Sequence, residues 1–234
     1  MGPETGFAAQ AAHGKLVTLV SPQQGAELWA ASYDLTPNPL LALEMRCAGP
    51  QLTGVRSLLD VGCGTGRWMT WAEERGIRAF GIDTSRAMLM HTAAHLRGRC
   101  AQATLARVPI KTNAVNIVVC SFVLSYVADL GEAFRELART ASKVLVSDLH
   151  PAADTAGWKR SFRIAGETYE LDHIRYSMEQ LDWAAASAGL KRRWRMESRF
   201  GEPEHRFFVD AGKAADFGEL CKIPAVLATL WERE

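Results

Sequence analysis

Three observations predict an α/β fold, a mostly parallel, doubly wound sheet with helices on both faces. Apolar segments of strand length alternate with amphipathic segments of helix length between residues 56 and 149, the signature of βαβ units. The run VNIVVCSF at 115–122 is almost continuously apolar and β-branched, as strands buried on both faces are. The glycine-rich stretch GCGTG at 62–66 joins a strand to a helix, the turn at which open α/β sheets bind their ligands.

The elements follow in order. Residues 1–20 are rich in small residues and predict a flexible N-terminus, with a single domain over 21–234. Residues 26–47 carry two helical pieces separated at TPNP, where two prolines cannot sit inside a helix, and 21–50 therefore reads as a helical cover. RSLLDV at 56–61 is a strand and RWMTWAEERG at 67–76 a helix closed by Gly76. IRAFGID at 77–83 and SRAMLMHTAAHLRG at 85–98 repeat the pair, and 100–106 is a weak strand. Residues 130–141 form a helix with Leu130, Phe134, Leu137 and Ala138 on one face, and 143–149 a fifth strand. From 150 to 176 the pattern stops, predicting an irregular insert. A helix at 177–189, a charged edge strand at 190–200, a second irregular stretch over 200–222 and a final strand complete the chain.

Composition narrows the function. With 48% hydrophobic and 23% charged residues in 234, the chain is an ordinary globular one. Its formal net charge of +1 supplies no global field towards nucleic acid or an anionic membrane. The five cysteines sit in no metal-ligand spacing, so free thiols and no metal site are expected. Free thiols suit a reducing compartment, the first residues lack the charged and apolar regions of a secretion signal, and a cytoplasmic location is the expectation.

The glycines at 62, 64 and 66 follow a GxGxG spacing, whereas a dinucleotide fingerprint would need glycine where Arg67 stands. Asp83 ends the next strand 21 residues after Gly62, a distance suited to gripping ribose hydroxyls. LLDVGCGTG, GID and SFVLSYVADL together resemble class I S-adenosylmethionine-dependent methyltransferases, especially the small-molecule branch with the ubiquinone and menaquinone biosynthesis enzymes. The resemblance extends over about residues 26–149 and more loosely beyond. It implies a Rossmann-like, seven-stranded sheet with an antiparallel last strand, and S-adenosyl-L-methionine as cofactor. By resemblance, Asp60 and the backbone of Gly62, Cys63, Gly64 and Gly66 face the methionine moiety, and Asp83 binds the ribose. Thr84 and Met88 stand near adenine and ribose, Thr104 and Leu105 at the adenine edge, Ser121 and Phe122 behind strand four, and Tyr33 in the cover. Arg67 and Trp68 are placed to touch or pack on the cofactor carboxylate, with core packing the alternative for Trp68 and the preferred reading for Trp71.

The chain departs from the family pattern at Thr104 (or Gln102, if the register slips), where aspartate is usual. It departs again at Val115–Asn116 in place of Phe-Asp, and in the short connection TASKVLVSD. Methyl transfer to a protonated oxygen or nitrogen calls for a base. His150, after strand five, and His173, in the insert, are the candidates, with His205 behind them; a structural hydrogen bond is the alternative for each. Trp29, Tyr33, Tyr126, Trp158, Phe162, Tyr169 and Tyr176 could wall a planar, aromatic acceptor, or simply form core. Arg160, Arg163 and Arg175 raise an anionic one. The expected function is methyl transfer to a small-molecule acceptor, at O before N or C, by a monomer or homodimer without nucleic-acid or membrane partners. The alternatives are a degenerate cofactor-binding subunit and, less favoured, a nucleic-acid or protein methyltransferase.

Overall fold

The computed structural model describes residues 17–234. Ten strands form two sheets: β1 (Val17–Val20), β2 (Ser57–Val61), β3 (Arg78–Asp83), β4 (Cys100–Gln102), β5 (Val115–Ser121), β6 (Ala141–Leu149), β7 (Ser161–Ile164), β8 (Glu167–Leu171), β9 (Leu190–Ser198) and β10 (Val226–Arg233). The main sheet has the order β4-β3-β2-β5-β6-β10-β9. Its first five strands run parallel and β10 lies antiparallel between β6 and β9. This is the seven-stranded, doubly wound sheet the resemblance implies.

The helices are α1 (Pro22–Trp29), α2 (Pro39–Ala48), α3 (Arg67–Glu73), α4 (Arg86–His91), α5 (Leu130–Thr140), α6 (Pro151–Thr155), α7 (Met178–Ser187), α8 (Glu202–Asp210) and α9 (Phe217–Leu220). Alternation along β5 builds both faces at once. Val118 and Cys120 join a core with Phe134 and Leu137 of α5 and Leu181 of α7. Ile117 and Val119 join a second core with Trp68, Met69 and Ala72 of α3. A third cluster, including Leu43, Trp158, Phe200 and Phe208, fastens α2 and α8 to the end of the sheet.

Local chemistry sets most boundaries. The TPNP break resolves into a cap: Asn38 Oδ1 accepts the Leu40 amide at 3.0 Å and Pro39 opens α2. Asn116, at a family departure, accepts the amides of Arg56 and Ser57 at 3.1 and 3.0 Å and so fixes the start of β2. The short connection is direct, since α5 ends at Thr140 and β6 begins at Ala141. All five cysteines are free thiols.

Several expectations need correction. Residues 1–16 of the expected flexible N-terminus lie outside the described residues, but Val17–Val20 is a strand paired in parallel with β8. The helix expected over 85–98 stops at His91. Thr92 turns into the fold there, fully buried, with its hydroxyl donating to the Gly64 carbonyl at 3.4 Å. The insert over 150–176 is not irregular: β7 and β8 form an antiparallel hairpin turned at Ala165 and Gly166, both at positive φ. The stretch 200–222 is helical, held to α2 by paired hydrogen bonds of 2.9 Å from Arg46 to the Glu204 carboxylate. None of its residues lines the main cavity.

Candidate functional site

A cavity of about 650 Å³ opens at the C-terminal edge of β2, β3 and β5 and continues under α1, α2 and the β7–β8 hairpin. That volume is about twice the lower bound of ~300 Å³ for small-molecule sites. Among the residues expected to bind cofactor, Tyr33, Gly62, Gly64, Asp83, Thr84, Met88, Thr104, Leu105, Ser121 and Phe122 line it. Gln102 does not line it; its side-chain amide donates to the Thr84 carbonyl at 2.9 Å.

The glycine loop excludes side chains for two different reasons. Gly62 has φ +72°, and a Cβ there would stand 2.2 Å from Val123 Cγ2. Gly64 has φ +54°, yet no atom of the described residues lies within 4 Å of the position its Cβ would take. The first glycine is required by packing, while the second borders open space into which a ligand can approach the backbone. Asp83 ties the loop to β3: Oδ2 accepts the Gly64 amide and Oδ1 the Ser85 amide, both at 2.8 Å. Burial raises its pKa and the amides of Ser85, Gly64 and Thr84 oppose the rise. Each carboxylate oxygen keeps acceptor capacity beyond the one amide it holds. An acidic edge beside an exposed loop backbone fits a ribose diol followed by an amino-acid moiety, so the donor set matches S-adenosylmethionine.

Glu44 on α2 was missed in the sequence. It is 0% exposed, and its carboxylate accepts from Arg67 Nη2 at 2.5 Å, Ser121 Oγ at 2.6 Å, Trp68 Nε1 at 3.2 Å and the Ser147 hydroxyl. The available signal was an acidic residue on the buried face of α2, beside Leu43 and Ala48. Arg67 also donates to Ser121 Oγ at 3.0 Å and leaves its buried Nη1 without a partner. Trp68 is thereby a core residue, 1% exposed. A second tie runs from Thr65 Oγ1 to Asp34 Oδ1 at 2.8 Å and clips the glycine loop to the cover.

Three expected cofactor positions do not wall the cavity. Cys63 is buried against Gly81, where a Cβ would stand 2.7 Å from its sulfur; its amide donates to the Ile82 carbonyl at 2.9 Å. Gly66 faces the Thr92 methyl, 3.0 Å from its would-be Cβ. Asp60 is 2% exposed. Burial pushes its pKa up to about 8, against the pull of Arg67 and with the repulsion of Glu44.

The expected bases are not in the cavity. His150 caps α6: its Nδ1 accepts the Ala152 amide and its Nε2 meets Glu197 Oε2, both at 3.0 Å. With both nitrogens engaged at 4% exposure, it has no free lone pair to offer a substrate. His173 lies between the Leu171 carbonyl at 3.2 Å and Asp154 Oδ1 at 3.4 Å. It lines a separate cavity of about 270 Å³. His205 sits on α8 against Phe217, with ring centroids 4.5 Å apart. Of the expected aromatic wall, Trp29, Tyr33 and Tyr126 line the main cavity. Phe162 backs Trp29 in a stacked pair at 4.6 Å, whereas Trp158 stacks on Phe200 at 5.7 Å in the third core. Burial pushes the Tyr33 phenol up to about 12 and raises Tyr126 as well.

Gly62→Ala must accommodate both a left-handed backbone and the Val123 contact, and is expected to cost about 3 kcal/mol in urea unfolding. A loss under ~0.5 kcal/mol would contradict the packing account. Asp60 yields a pH test on the cofactor-free chain. Because folding raises its pKa from 3.8 to about 8, the stability conferred by the neutral form is complete below the ordinary value and is lost as pH rises to about 8. Asp60→Asn lacks that dependence, so its stability relative to the native chain should grow by up to about 1.4 kcal/mol per pH unit across the window. A difference that stays constant from pH 5 to 8 would rule the burial effect out.

Among the described residues no helix is long and apolar enough to cross a membrane. Residues 59–144 match the family described as methyltransferase domain. A malonyl-[acyl-carrier protein] O-methyltransferase of Serratia marcescens is 34% identical over 122 residues, covering 47% of this chain. The chain spans 44% of that relative's length. A crystal structure of an S-adenosylmethionine-dependent methyltransferase from Mesorhizobium loti superposes with TM-score 0.59 at 20% identity, covering 90% of this chain and 100% of the other. One from Archaeoglobus fulgidus gives 0.60 at 14% identity over 86% and 97%. The [4+2]-cyclase SpnF gives 0.58 at 17% identity over 93% and 98%, so the shared fold does not by itself fix the reaction. The segment that matches the methyltransferase-domain family contains the glycine loop and Asp83, and the solved methyltransferase structures share the fold of the chain.

Proposed function

We propose that the chain transfers a methyl group from S-adenosyl-L-methionine to an oxygen atom of a small-molecule acceptor. The observation that carries this reading is the open space beside Gly64, bordered by an Asp83 carboxylate that holds the loop amide and retains acceptor capacity. The relative's O-methyltransferase activity supports oxygen as the target.

The cofactor would supply an activated methyl on a sulfonium, leaving the protein to align the partners and exclude water. Asp83 accepts the ribose hydroxyls, and Thr104, Leu105 and Met88 line the adenine side. The loop from Gly62 to Gly66 receives the methionine end, with the buried Asp60 and the Arg67 guanidinium behind it. Ser121, Phe122 and Tyr33 close the cavity between the cofactor and acceptor halves. Phe122 holds φ +56°, a costly conformation for a side chain of that size, and its amide is anchored to the Ser147 carbonyl at 2.8 Å. The acceptor half is walled by Trp29, Tyr126, Leu171 and Arg160. Residues 21–234 act as one unit, since cover, sheet and hairpin all contribute to a single cavity.

Calorimetry with S-adenosylhomocysteine tests the reading. The native chain should bind at micromolar affinity. Asp83→Ala should lose at least tenfold, and so should Gly64→Ala, whose added methyl meets no atom of the described residues within 4 Å and fills ligand space. No binding by the native chain, or full affinity in both variants, would sink the proposal.

A further inference from the structure

Three sulfur atoms meet beneath the glycine loop, from Cys63, Met69 and Cys100. None of these residues lines the main cavity. Cys63 stands in the middle of the loop and is buried, while Cys100 opens β4 and is half-buried. In the β3–β4 ladder Gly81 is the partner of Cys100, and ladder partners project to the same face of a sheet. Gly81 leaves that face bare. A Cβ there would stand 2.7 Å from Cys63 Sγ, 3.0 Å from Cys63 Cβ and 2.5 Å from Met69 Sδ. The bare position lets the loop cysteine and the strand cysteine turn towards each other. Cys100 Sγ also lies 3.6 Å from Met69 Sδ and 3.6 Å from the Leu96 carbonyl oxygen.

The two thiols differ in acidity. A hydrogen bond from the Cys63 thiol lowers the Cys100 pKa, with partial burial opposing it and the Thr92 hydroxyl assisting; the same hydrogen bond and burial raise Cys63. Burial pushes Cys120 well up, and burial and Glu204 raise Cys221. The thiolate is the reactive form of cysteine, so an oxidant meets Cys100 ahead of those thiols, with Cys63 beside it as the resolving partner. Thr92 carries a single hydroxyl proton, which also serves the Gly64 carbonyl at 3.4 Å. The state of Cys100 is therefore felt in the loop.

We propose that Cys63 and Cys100 form a peroxide-sensitive dithiol that closes to a disulfide and distorts the glycine loop. Its consequence for cofactor binding rests on the methyl-transfer reading above; the closure itself does not. The Cys100 thiolate attacks one oxygen of hydrogen peroxide, the O–O bond breaks, and the departing hydroxide takes up a proton and leaves as water. The Cys63 sulfur then attacks the resulting sulfenic sulfur, the S–O bond breaks, and the hydroxyl leaves with the Cys63 proton as a second water. Two thiols lose two electrons and two protons, and the peroxide is reduced. A disulfide sets its sulfurs about 2.05 Å apart, well inside non-bonded contact, and so draws Cys63 towards β4. Gly62 and Gly64, on either side of Cys63, line the cavity. The Gly66 amide donates to the Cys63 carbonyl at 2.8 Å, so the loop backbone moves with it.

The test treats the full chain with an equimolar amount of hydrogen peroxide, alkylates the remaining thiols in denaturant and maps the peptides by mass spectrometry. The peptides holding Cys63 and Cys100 should be bridged, with Cys47, Cys120 and Cys221 alkylated, and dithiothreitol should reverse the bridge. Calorimetry with S-adenosylhomocysteine should show at least tenfold weaker affinity for the oxidised chain, restored on reduction. Cys100→Ser should form no bridge and keep the same affinity before and after peroxide. No bridge in the native chain, oxidation confined to Cys47 or Cys221, or a bridged chain with unaltered affinity would overturn the inference. Failure of the reduced native chain to bind S-adenosylhomocysteine would instead remove the methyl-transfer reading, while the peptide map still decides whether the dithiol closes.

Discussion

A single buried carboxylate organises the centre of the molecule. Glu44 is sealed from water, and a charge in that position is tolerable only if donors surround it. Its four partners come from three places: Arg67 and Trp68 from α3, Ser121 from the end of β5, and Ser147 from β6. Satisfying Glu44 therefore fixes how α2 sits over the sheet, which way the first turn of α3 points, and where β5 ends. The glycine loop is held between this network and the Asp83 carboxylate, and the cover is tied to the loop again through Asp34 and Thr65.

From that constraint follows a cavity with two chemically different halves. The sheet edge contributes backbone amides, small residues and an acid, suited to a ligand recognised through hydroxyls and close backbone approach. The cover and hairpin contribute aromatic surface and one buried guanidinium. The second half depends on the packing of α1 against the hairpin: a Cβ at Gly25 would come within 2.1 Å of Leu171 Cδ2, so the helix lies directly on β8. Trp29 extends the contact by stacking on Phe162, which stacks in turn on Tyr169 at 5.4 Å.

What could be read from the sequence divides along physical lines. The parallel strands, the loop and Asp83 were legible because each is coded locally, by β-branched runs, by turn chemistry and by a residue at a strand end. The hairpin over 161–171 was hidden because its turn residues are Ala165 and Gly166, and alanine seldom adopts positive φ. The Thr92 stop was hidden because a tertiary contact, not a breaker residue, ends α4. His150 was misread because its position after a parallel strand gives no sign of its rotamer, which points it to the Ala152 amide and Glu197. Glu44 lay in plain view as an acid on an apolar helix face, but its partners are 23 to 103 residues away in sequence. No local pattern announces such a cluster. The site was thus legible where backbone geometry dictates chemistry, and illegible where long side chains from separate elements meet.

The most direct test of the central claim uses Glu44→Gln, which keeps the side-chain shape and removes the charge at a residue outside the cavity wall. If Glu44 organises the site by holding Arg67 and Ser121, S-adenosylhomocysteine affinity measured by calorimetry on folded variant should fall about tenfold, equivalent to ~1.4 kcal/mol. Unchanged affinity alongside lowered folding stability would contradict the account and reduce the buried carboxylate to a packing element.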